Sequence, residues 1–118
     1  MSNYFLDRLL DNYHGRKKLP AVAYTEICVD YINRGEEVKK LRYLLNRLNI
    51  TIERLDTKIA ERGATWGSRG KDFNENARDY LIGAHAHTPP LKLITDNKDD
   101  FWFLNDRVLT PDECIRSL

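Results

Sequence analysis

Seven apolar residues recur at alternating spacings of three and four: Val38, Leu41, Leu45, Leu48, Ile52, Leu55 and Ile59. They fall at the first and fourth places of successive heptads, the seam of an amphipathic helix packed along a partner. The pattern predicts one helix over residues 36–62, about 40 Å long at 1.5 Å per residue. Leu44 flanks the seam, whereas Tyr43 and Ile50 project from the far side. A second face therefore needs cover, which a helical bundle supplies better than an isolated coiled coil.

Upstream, Ser2 or Asn3 can cap a first helix carrying Tyr4, Phe5, Leu6, Leu9, Leu10 and Tyr13, with His14 and Gly15 at its end. Arg16, Lys17 and Lys18 form a basic connection. Pro20 suits the first turn of a second helix over residues 20–34. Val22, Tyr24, Ile27, Cys28, Val29, Tyr31 and Ile32 leave that helix little polar surface, so it is expected to be central. A break is expected at Arg34-Gly35, because glycine weakens a helix there.

Downstream, Gly63, Gly67 and Gly70 suggest a connecting loop over residues 64–70. Asp72 with Glu75 has the spacing of a capping box for a helix that buries Phe73, Ala77, Tyr80, Leu81 and Ala84. Pro89-Pro90 forbids further helix. The period then changes. Residues 91–95, 101–104 and 107–109 read as short strands separated by turns rich in Asp and Asn. Thr110-Pro111-Asp112-Glu113 carries the cap, first-turn proline and acid of a helix start.

The 118 residues fit one domain, with 31% charged and 42% hydrophobic residues giving a folded chain rather than a disordered one. The net charge of +1 argues against a dedicated nucleic-acid binder. The charge is unevenly spread, however. Residues 35–71 carry nine Lys/Arg against five Asp/Glu, and residues 72–118 carry five against nine. Cys28 and Cys114 sit in apolar patterns without metal or redox spacing, as reduced thiols of a cytoplasmic protein do. Neither a signal peptide nor a membrane-spanning run is apparent, so no membrane association is expected.

No catalytic constellation of nucleophile, base and orienting group is identifiable. His85-x-His87 could share a metal if extended, but no third ligand is fixed, and two histidines near a helix C-terminus suit its dipole. Trp66-Gly67-Ser68-Arg69-Gly70-Lys71 has the composition of a phosphate-holding turn without P-loop spacing. Asp99-Asp100 and Asp112-Glu113 fit turn and cap roles rather than acid–base work. Lys40, Arg47 and Arg54 recur every seven residues, with Arg42, Lys58 and Arg62 on adjoining faces and Tyr43 among them. Such a face can grip a phosphate backbone, an acidic protein or the acidic half of the same chain. In Phe101-Trp102-Phe103 the side chains of a strand must point to both faces, so Trp102 is capped by the last helix or offered to a partner.

The expected architecture is a mainly helical α+β domain over residues 1–118. It combines a helical part (1–63), a connecting loop (64–70), and a helix with a β-meander and short last helix (71–118). The expected function is non-enzymatic protein binding, as an adaptor or an inhibitor of a larger protein or complex. The accessory proteins of phages and mobile elements, including those that counter host defence, offer an analogy of character only. Trp102, Phe101, Tyr43 and Ile50 are the expected contacts, toward a host protein or a second copy in a homodimer. The alternative is a nucleic-acid-binding regulator using Lys40, Arg42, Arg47, Arg54 and Lys58. No cofactor and no metal site are implied.

Overall fold

A computed structural model describes residues 15–88 and 91–118. The expected helix over residues 2–14 and the proline pair at 89–90 lie outside the described residues. The chain is mainly helical α+β and divides into two compact units, Gly15–Asp56 and, among the described residues, Thr57–Leu118.

In the first unit, β1 (Lys17–Pro20) leads into α1 (Ala21–Asn33), α2 (Val38–Arg47) and β2 (Ile50–Glu53). β1 and β2 pair in parallel, with Lys17 opposite Ile50 and Leu19 opposite Ile52. A parallel pair needs a long crossover, and the two helices provide it. Lys18 Nζ lies 3.6 Å from Glu53 Oε1 across the pair. The expected break at Arg34-Gly35 is present, with Gly35 at φ 74°. The Gly35 N–H donates to the Ile32 carbonyl and the Glu36 N–H to that of Tyr31, a Schellman closure. α1 is not the central helix expected from its composition, for none of its residues is buried.

The heptad seam holds through α2, where Leu41 and Leu45 are buried and Val38 and Leu48 half-buried. It does not continue as one helix over residues 36–62. Asn49 takes a left-handed φ of 57°, which asparagine tolerates better than most residues. Ile50-Thr51-Ile52 then forms a strand, a conformation that β-branched side chains favour. The hydrogen-bonding partner that makes this worthwhile is β1, some thirty residues earlier.

The second unit starts with a helical hairpin, α3 (Thr57–Gly70) and α4 (Phe73–Ala84). The expected loop over residues 64–70 is therefore the last two turns of α3. Gly63, Gly67 and Gly70 are spaced four and three apart, on one face of the helix. A Cβ at Gly67 would collide with the Phe73 ring, and one at Gly70 with the Tyr80 hydroxyl. Glycine costs about 1 kcal/mol in a helix, and the close approach it permits here offsets that. The capping box expected at Asp72 does not form. The Asp72 carboxylate accepts instead from the Tyr80 hydroxyl (2.5 Å) and from Asn76 Nδ2 (2.7 Å).

β3 (Leu93–Ile94) and β4 (Val108–Leu109) pair in parallel, Leu93 opposite Val108, and not as an antiparallel meander. The crossover between them is a 3-10 helix over Lys98–Arg107, interrupted at Phe101 and Asn105, so residues 101–104 are not a strand. The last helix, α5 (Pro111–Arg116), has the expected start. Thr110 Oγ1 accepts from the Glu113 N–H at 3.1 Å, and Glu113 Oε1 from the Thr110 N–H at 2.9 Å. The unit's core gathers Trp66, Tyr80, Ile82, Phe101, Phe103, Leu104, Val108 and Cys114. Phe103 is its hub, with ring centroids 4.6 Å from Trp66 and 5.0 Å from Tyr80.

Candidate functional site

The surface most suited to contact lies on the helix pair of the first unit. Nine of the thirteen residues of α1 are Ala, Val, Ile, Tyr or Cys, yet all are half-buried or exposed. Val29 and Ile32, one turn apart, are both exposed, Ile32 at 61%. Across the four-residue turn, α2 buries Leu41 and Leu45 and leaves Leu44 and Tyr43 exposed, Tyr43 at 64%. Burial, and then the neighbouring Cys28 thiol one turn on, push the Tyr24 phenol above its ordinary range, while nearby Arg42 opposes this. Ile32 and Tyr43 are the most exposed large apolar side chains of the helix pair.

Tyr43 is framed by cations. Lys39, Lys40 and Arg47 lie four and three before it and four after it on the helix surface. The Arg47 guanidinium sits 5.8 Å from the Tyr43 ring centroid, a cation–π contact. No acidic residue lies within α2. The basic stripe is shorter than its seven-residue repeat implies. Lys40, Arg42 and Arg47 share α2, but Arg54 falls in the connection after β2 and Lys58 on α3, in the other unit. The chain direction changes at Asn49, which ends the repeat.

The other expected contacts separate in the same way. Ile50 is half-buried in β2, opposite Lys17. Phe101 is only 3% exposed and offers no surface to a partner, whereas Trp102 is 51% exposed. The alternation within Phe101-Trp102-Phe103 thus survives, though on a 3-10 helix rather than a strand. Trp102 is not loose. Its ring meets that of Tyr80 edge-on, with centroids 6.4 Å apart, and packs over Gly70, its Cζ2 3.2 Å from where a Cβ would stand. Burial, and then the Asp72 hydrogen bond, hold the Tyr80 phenol above its ordinary range.

His85 and His87 follow α4 and are half-buried. Among the described residues, no three His, Cys, Asp or Glu side chains come together as a metal would need. Cys28 and Cys114 are free thiols, and burial pushes Cys114 up. Among the described residues, no helix is long and apolar enough to cross a membrane. Comparison with protein-family models, curated proteins and solved structures returns no match to this chain.

Sequence reasoning passes over the exposed side of α1, because a helix so apolar reads as core. The available signal is its neighbour: on either side of Gly35, Arg34 pairs with Glu36 and Lys39 with Glu37, marking a solvated turn.

Proposed function

We propose that this chain is a non-enzymatic protein-binding protein whose contact surface is the α1–α2 helix pair. The single observation that carries the reading is that α1, apolar over most of its length, has no buried residue. Uncovered apolar surface of this kind marks interaction sites in soluble proteins. Ile32 and Val29 give an aliphatic centre, Tyr43 an aromatic anchor, and Lys39, Arg42 and Arg47 a basic rim. That arrangement suits a partner with an apolar patch edged by carboxylates. Trp102, on the other unit, is a secondary contact.

The test places a photo-crosslinking amino acid at Tyr43 and, as control, at exposed Arg116, and combines this with light scattering of the isolated chain. A second copy or a distinct protein should crosslink at Tyr43 and not at Arg116. Ile32→Glu should abolish that species without lowering the melting temperature, and Tyr43→Ala should weaken the complex by about 2 kcal/mol, as interface anchors do. Equal crosslinking at both positions, or crosslinking indifferent to Ile32→Glu, would overturn the reading.

A second reading, nucleic-acid binding by α2, is favoured by the exposed Lys40, Arg42 and Arg47 around Tyr43 on a helix without an acidic residue. Its signature is affinity that falls steeply with salt, with Arg42→Ala and Arg47→Ala each reducing the logarithmic slope by about 0.9. Failure to retain DNA or RNA in a low-salt mobility assay removes it.

A further inference from the structure

A groove of about 270 Å³ runs along α3, lined by Lys58, Glu61, Arg62, Thr65 and His87. The four α3 residues are spaced three, one and three apart, so a single helix face forms one wall. His87, from the segment after α4, forms the other. The Arg62 guanidinium is held 5.7 Å from the Trp66 ring centroid. The same indole meets the His87 imidazole edge-on, with centroids 6.3 Å apart. Trp66 therefore fixes both the guanidinium and the imidazole at the groove.

The charge around His87 is unbalanced. Lys58 and Arg62 of α3 line the groove with the acid Glu61, and Arg62 and Arg107 of the 3-10 helix place positive charge near His87. Arg107 is anchored by donating to the Ala86 carbonyl at 2.5 Å. Among the described residues, no carboxylate lies within ion-pairing distance of Lys58, Arg62 or Arg107. Burial, and then the charges of Arg62 and Arg107, keep the His87 imidazole below its ordinary pKa. Arg62 and Lys58 on one wall and His87 on the other thus give the groove a net positive lining against the single carboxylate of Glu61.

We propose that this groove binds a phosphate group, with Arg62 and Lys58 as its charge partners and His87 as a hydrogen-bond donor. A guanidinium fork matches two phosphate oxygens, and the remaining oxygens can meet donors from the opposite wall. The volume lies below the roughly 300–1,000 Å³ of pockets for larger ligands, so it suits a free phosphate ion or the terminal phosphate of a monoester. The site lies within the second unit and does not rest on the α1–α2 reading.

The experiment follows the His87 imidazole by NMR during pH titrations in sodium chloride, inorganic phosphate and glycerol phosphate at equal ionic strength. His87→Gln assigns the signal. Inorganic phosphate should raise the His87 titration midpoint by about half a unit or more, because a bound dianion favours the imidazolium. By linkage, that is about a threefold preference for the protonated form. A matching shift with glycerol phosphate assigns the groove to a phosphate ester, and a shift with the inorganic ion alone assigns it to free phosphate. Arg62→Gln should weaken binding about tenfold. Since Arg62 also covers Trp66, exposed Lys58→Gln serves as the second variant, with a smaller loss. No shift in either phosphate, or a shift that survives both substitutions, would overturn the proposal.

Discussion

At Gly67 the absence of one methyl group sets how closely two helices approach. A Cβ there would enter the Phe73 ring, and a Cβ at Gly83 would stand 2.6 Å from Phe103 Cζ. Neither aromatic can move freely, since Phe73 stacks on Tyr80 and Phe103 is the centre of the aromatic core. Gly67→Ala and Gly83→Ala should therefore destabilise the chain by about 1–3 kcal/mol each, the cost of overpacking, despite alanine's better helix propensity. Urea denaturation measures this, and a gain in stability would mean the helices part without penalty. Asn49 is the opposite case, because backbone conformation and not packing constrains it. With φ at 57°, Asn49→Gly should be neutral or stabilising and Asn49→Ala should cost about 1 kcal/mol. Equal effects of the two substitutions would argue against a left-handed residue at the end of α2.

At the scale of the element, the seam of α2 distinguishes a short helix from a long one. Leu41 is 3% exposed, and Leu48, one residue beyond the last helical turn, is only half-buried. Leu41→Ala should cost about 2–4 kcal/mol, as truncation of a core leucine does, and Leu48→Ala about half as much. A continuous helix over residues 36–62 would bury both equally, so equal costs in circular-dichroism denaturation would contradict the break. α1 and α2 also show why composition misleads at this scale. α1 is the more apolar helix and buries no residue fully, whereas α2 carries four basic residues and supplies the buried leucines. What decides burial is whether the apolar residues share one stripe. Those of α2 recur at 38, 41, 45 and 48, and those of α1 are spread around the helix.

For the molecule as a whole, acid should act in two windows. The fold holds His87 neutral below its usual pKa of 6.5, so the unfolded chain takes up that proton first. Its stabilisation is complete above the unfolded value and is lost as pH falls through the lower folded one. Glu113 lies below its usual 4.5 because it accepts from the Thr110 N–H and is paired with Lys98. Its contribution is likewise complete above the unfolded value and lost in more acid solution. The melting temperature should thus fall in two steps on acidification. His87→Gln should remove the upper step and Glu113→Ala the lower, and a profile unchanged by either would exclude these groups as its source. What could be read from the sequence alone was settled by short-range chemistry. The closure at Gly35 follows from glycine's access to left-handed φ, and the start of α5 from the Thr110, Pro111 and Glu113 spacing. For Trp102 the sequence left open whether the last helix covers it, and its exposure is a property of the 3-10 helix rather than of strand alternation. The parallel pairing of β1 with β2 and of β3 with β4, the helical state of residues 64–70 and the grouping of Arg62, His87 and Arg107 depended on tertiary structure. Val38 to Ile59 satisfies a helical period throughout, and Ile50-Thr51-Ile52 also satisfies a strand. Only a hydrogen-bonding partner distant in sequence decides between them, and only the close approach of side chains such as Phe73, Tyr80 and Phe103 makes glycine an asset within a helix.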